Sequence, residues 1–182
     1  MSLFESLINE FTVNDLKKDF KGSSRPHAGL VDRSKAVDVK LIDISNDGVM
    51  KWTAKAVTTS GVDRWDQIVV LKDWEEALNM EDLNFSERAN LAVFGDLEIT
   101  CSDPSFLFWG YKYIATQLDY NEGKGENRAP KVRNPNEEGV ACKHLIAVLK
   151  ALPFHISDVA SKMKSLKKES FENMIDVLLE NK

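Results

Sequence analysis

The chain of 182 residues has just two cysteines, too few to staple a fold of this size, so its stability must come from a buried core. It has no apolar run near the ~20 residues a membrane helix needs. Its amino end, MSLFESLINEF, lacks the basic start, long apolar stretch and small-residue cleavage site of a secretory signal. The expectation is a protein that stays in the reducing compartment where it is made, with no membrane partner. A basic excess is missing as well: 24 Lys plus Arg stand against 29 Asp plus Glu, a net charge of -5. A dedicated duplex-DNA binder usually presents at least one basic face. The densest basic group, Lys124, Arg128, Lys131, Arg133 and Lys143, is diluted by Glu122, Glu126, Glu137 and Glu138. Nucleic acid is therefore not the expected partner.

What is present is the composition of one ordinary globular domain, 43% hydrophobic and 29% charged. At the start, Phe4, Leu7, Ile8 and Phe11 recur at helical spacing, which predicts a short amphipathic helix over 3–11. Residues 21–34, KGSSRPHAGLVDRS, have turn formers, a central Pro and no apolar period, so they read as a linker. Residues 1–34 are thus expected to form a helical arm and 35–182 a single domain. The arm's apolar stripe either folds back on its own chain or docks on a neighbour.

From Ala36 the period changes to two. Val37, Val39, Leu41 and Ile44 share one register, Asn46-Asp47-Gly48 supplies a turn, and 50–59 is rich in Trp, Val and Thr. That is a hairpin. Ser60-Gly61 makes a second turn into a third strand over 65–71, and 97–101 alternates enough for a fourth. Between them, 74–79 reads as one or two helical turns and 81–95 as irregular or weakly helical. The fold class is α+β: an antiparallel sheet of four or five strands packed against C-terminal helices.

Asp103-Pro104 is a strong helix start, an N-cap followed by Pro at the first helical position. Phe106, Trp109 or Gly110, Tyr113 and Leu118 continue at helical spacing, and this aromatic stripe reads as a core layer. Residues 121–139 have no hydrophobic period and form a long surface excursion of the kind that is functional or ordered by a partner. A helix then opens at Cys142-Lys143-His144 with Leu145, Val148, Leu149 and Leu152 on its apolar face, ending near Pro153. A last helix is expected over 157–179, with Leu166, Phe171, Met174 or Ile175, and Leu178 on one side.

One constellation carries chemistry. Cys101 and Asp103 stand where a strand ends, and Cys142 and His144 stand where a helix begins. Two ligands one residue apart can turn toward one ion across a tight turn, and a sulfur and nitrogen set suits zinc. The same four residues could also pack and hydrogen-bond without metal, still tying strand end to helix start. A Cys101–Cys142 disulfide is a third arrangement, disfavoured in a reducing compartment. Catalysis is not expected. No Gly-rich anion cradle accompanies Cys142 and His144, and His27 and His155 read as surface or cap residues.

The order T-C-S-D-P-S-F, a long spacer, then A-C-K-H-L-I-A-V-L resembles the SWIM zinc finger, C-x-C followed by C-x-H leading into a helix. The stretch 97–152, with its FWGYKYIAT segment, is similar to virion structural proteins of contractile-tailed bacteriophages that carry such an element. This sequence departs from the pattern in having Asp103 at the second cysteine position and a spacer of 38 residues. The resemblance implies a structural component of a tail, baseplate or neck, made in the host cytoplasm and located in the virion. Its partners would be other virion proteins and copies of itself in a ring, and its cofactor one zinc ion or none. The alternative it implies is a zinc-binding module acting on nucleic acid or a regulatory protein in the infected cell.

Overall fold

The computed structural model describes residues 29–58 and 61–180. The helix expected over 3–11 and His27 lie outside the described residues. The chain opens with helix α1 (Leu30–Ser34), followed by strands β1 (Val37–Ile44), β2 (Val49–Thr58) and β3 (Gly61–Leu71). Helices α2 (Trp74–Asn79) and α3 (Phe85–Phe94) precede strand β4 (Leu97–Cys101). Then come α4 (Pro104–Phe108), α5 (Tyr111–Gln117), α6 (Lys143–Ala151), a 3-10 turn (Leu152–His155) and the long α7 (Ile156–Glu180). The class is α+β, with four antiparallel strands in the order β1-β2-β3-β4. No helix among the described residues is long and apolar enough to cross a membrane.

The period-two pattern fixes which face is buried. Met50, Trp52, Ala54 and Ala56 of β2 point inward, and the register brings Val69 opposite Met50 and Ile99 opposite Val69. Leu41 and Ile44 are three apart, yet both pack toward the core, because an irregularity between Leu41 and Asp43 inserts one residue and restores the face. The first hairpin closes on Gly48 at φ 81°, where a Cβ would lie 2.6 Å from the Trp74 side chain. Glycine is required there twice, for conformation and for space.

Helix α6 crosses the inner face of the sheet and touches all four strands. Its expected apolar face is the one buried: Leu145, Val148, Leu149 and Leu152 are almost fully enclosed. Truncating a side chain such as Leu145 to Ala would cost about 2–5 kcal/mol. Helix α7 packs on α3, burying Val159 and Met163. Phe171, expected on the packed side, is instead 59% exposed, because the helix has run past the core by that point.

Three further expectations are corrected. The linker reading fails at its end: Leu30–Ser34 is helical, packs on α6, and buries Leu30 and Ser34, so the folded body begins before residue 35. Part of the segment expected to be irregular is the regular helix α3, which starts with a capping box. Asn84 accepts from Ser86 and Glu87, and Glu87 accepts from the Asn84 N–H. The aromatic helix is broken in two, because Gly110 takes a left-handed conformation between α4 and α5. Phe106 is core as expected, but Trp109, Tyr113 and Leu118 of the expected stripe are only half-buried, Tyr111 outside it is buried, and Phe108 is 67% exposed.

Candidate metal centre

The end of β4 and the start of α6 meet under the sheet. Cys101 is the last residue of β4 and faces the core. The chain then turns through Ser102, which is held by two hydrogen bonds with Asp66: its amide donates to the Asp66 carbonyl, and its hydroxyl accepts from the Asp66 N–H. Asp103 follows as the N-cap of α4, its Oδ1 accepting from the Ser105 N–H at 2.9 Å. Across the junction, Cys142 is the extended residue that caps α6, and His144 lies in that helix's first turn. An extended cap lets its side chain turn back toward a first-turn neighbour, so the two converge. The sulfurs of Cys101 and Cys142 and a ring nitrogen of His144 all lie within 4.8 Å of one another. All three residues are buried, and both cysteines are free thiols.

Asp103 stands beside this group. Its Oδ2 is 2.9 Å from His144 Nδ1, which is itself 4.0 Å from Cys142 Sγ. Capping and the contact with His144 are divided between its two oxygens, so one short carboxylate serves both. Burial pushes the Asp103 carboxyl up, but hydrogen bonds from His144 and Ser105 outweigh it and hold the group down at about 2. The opposite balance acts on His144. Burial disfavours its charge, but the Asp103 carboxylate and the Cys101 sulfur together more than compensate, raising it.

The two thiols differ. Cys101 is drawn down to about 6, first by its hydrogen bond with Cys142 and then by further donors. Among these are the Asp103 amide at 3.4 Å and Gln67 Nε2 at 3.5 Å. Cys142 is pushed well above the ordinary thiol value by burial and by the neighbouring Cys101. The two thiols thus lean in opposite directions, Cys101 toward its thiolate and Cys142 toward its neutral form.

The donor set fits a metal ion. Two thiols, an imidazole and an adjacent carboxylate are ligands of the kind zinc takes. His144 Nδ1 faces Asp103 Oδ2 and Cys142 Sγ, whereas its Nε2 is buried with no hydrogen-bond partner among the described residues. A cavity of about 240 Å³, lined by Arg33, Trp65, Asp103, Ser105, Lys143 and His144, borders the Asp103 and His144 side of the group; the two cysteines do not line it.

All four residues singled out in the sequence therefore meet, three as the clustered donors and Asp103 through His144. Gln67 escaped the sequence reading. It sits on the core face of β3 opposite Cys101, and only the strand register reveals that pairing. His155 is apart from the centre, bonded to Asp158 and edge-on to Trp52. The excursion 121–139 is tied down rather than free: buried Asn134 donates to the carbonyls of Trp109 and Glu138 and accepts from the Glu138 N–H. No family model, no curated protein and no solved structure matches this chain, so the centre is read from its own geometry.

Proposed function

We propose that the chain holds one zinc ion at Cys101, Cys142 and His144, with Asp103 Oδ2 as fourth ligand, and that the ion pins the sheet to α6. The observation that carries this reading is the convergence of two sulfurs and a ring nitrogen within 4.8 Å in a buried site. Sulfur and nitrogen donors favour zinc over the harder cations. Tetrahedral zinc keeps nitrogen and oxygen ligands about 3.3 Å apart and nitrogen and sulfur ligands about 3.6 Å apart, given its usual bond lengths. The corresponding distances are 2.9 Å from His144 Nδ1 to Asp103 Oδ2 and 4.0 Å from His144 Nδ1 to Cys142 Sγ. Sub-ångström adjustments reconcile the two sets. A bound ion would supply a cross-link between β4 and α6. With four protein ligands the site is closed, the form of a structural centre and not of a catalytic one.

The same residues support the biological half of the proposal. A C-x-D and C-x-H order running into a helix is similar to the SWIM-like element of phage virion proteins. In this reading the chain is a subunit of a tail, baseplate or neck that works by protein contact. Exposed apolar side chains, Phe108 at the end of α4 and Val132 in the excursion, are surface suited to such contacts. Mass spectrometry of purified particles tests it. Stoichiometric recovery supports the virion role, and recovery from the lysate alone overturns it in favour of a zinc module acting on nucleic acid or a regulatory protein.

A further inference from the structure

Gln67 is a fully polar side chain in a place where the fold calls for an apolar one. It is 1% exposed on the inner face of β3, with Trp52 as its register partner on β2 and Cys101 as its partner on β4. Its neighbours on that face of β3, Trp65, Val69 and Leu71, pack in the core or against it. Burying an amide here is costly unless its groups are matched, and the match is incomplete: Oε1 has no partner among the described residues. Trp52 Nε1, on its register partner, is likewise without a hydrogen-bond partner among the described residues.

The other end of the amide has a task. Nε2 donates to the Trp65 carbonyl at 2.9 Å and to Cys101 Sγ at 3.5 Å. The Trp65 carbonyl can only accept, which fixes the amide with its NH₂ toward the sulfur. The Asp103 backbone N–H reaches the same sulfur at 3.4 Å. Two N–H donors converging on one sulfur suit a thiolate, because a neutral thiol is a weak acceptor.

Resting on the zinc reading of the centre, we infer that Gln67 is a positioning residue for the metal. It fixes the Cys101 side chain on the β4 edge of the site and stabilises its negative sulfur. Groups that orient metal ligands in this way typically change metal affinity about tenfold to a hundredfold when removed. The unmatched Oε1 is the cost the fold carries for that N–H donor.

The test uses the full chain, stripped of metal and titrated with Co²⁺, whose thiolate charge-transfer absorption reports on the sulfur. In Gln67→Leu, Co²⁺ affinity falls about tenfold to a hundredfold. The charge-transfer band moves to longer wavelength, since the sulfur loses a hydrogen bond that had lowered its donor level. The metal-free variant melts close to wild type, because losing the Nε2 bonds to Trp65 and Cys101 is offset by removing the unmatched Oε1. Gln67→Val is the second variant if the leucine does not fold. Unchanged affinity and an unchanged band in a folded variant overturn the inference while leaving the zinc centre intact. Loss of affinity in proportion to a fall in metal-free stability, with the band unmoved, also overturns it and makes Gln67 merely structural. If wild type itself takes up no Co²⁺, the centre fails and the role of Gln67 with it.

Discussion

Asp103 and His144 are joined by a 2.9 Å contact from Oδ2 to Nδ1, while the other oxygen of the same carboxylate caps α4. The two roles can be separated by substitution. Asp103→Asn keeps an oxygen for the Ser105 N–H but loses the charged contact with His144, so the metal-free protein should keep the cap yet melt somewhat below wild type. Asp103→Ala removes the cap as well and should cost about 1 kcal/mol more than Asp103→Asn. Both should bind zinc more weakly, since neither supplies a carboxylate. Wild-type zinc affinity in Asp103→Asn would remove Asp103 from the ligand set.

Zinc affinity should rise with pH through the neutral range. Cys142 is held above the ordinary thiol value by burial, and His144 is raised by the Asp103 carboxylate and Cys101 despite its burial, so protons compete with a metal for both groups as the pH falls. Binding releases those protons, and lowering the pH therefore opposes it. Each proton displaced steepens the dependence by roughly tenfold per pH unit. Competition titrations against a chelator of known affinity at a series of pH values measure the slope. A flat profile would mean that the two groups are already deprotonated or are not ligands.

Replacing Cys142 by Ser exchanges a buried sulfur for a more strongly solvated hydroxyl. In the metal-free protein this should cost about 1–3 kcal/mol. In zinc-replete buffer the loss should be larger, because the wild type alone gains from the ion. Urea denaturation with and without chelator separates the two. Equal losses under both conditions would take the metal out of the account of stability.

Gly110 joins the site to the excursion. It adopts φ 77°, and a Cβ there would lie 2.3 Å from Pro130 Cγ. Gly110→Ala should therefore destabilise by about 1–2 kcal/mol from the left-handed backbone alone. It should also loosen 121–139, so that limited proteolysis cuts there faster than in wild type. Unchanged cleavage would show that the Pro130 contact does not hold the excursion.

Much of this was legible from residue order. Period two gave the strands, Asn46-Asp47-Gly48 the hairpin, Asp103-Pro104 the start of α4, and Cys142 the start of α6. Helix α3 could have been read from the Asn84 and Glu87 capping box, but the segment's weak apolar period hid it. Leu30–Ser34 could not, because five residues carry too little pattern and their helix is held by packing on α6. The four site residues stood out by type and spacing, whereas Gln67 did not. A glutamine before Ile68-Val69-Val70-Leu71 reads as an exposed flank until the register sets it against Cys101.

The central claim is the metal, and elemental analysis of protein purified without chelator tests it most directly. The account predicts about one zinc per chain, removed by chelator together with a fall in melting temperature. A folded protein with no zinc, taking up none when it is supplied and melting identically with chelator, would contradict it.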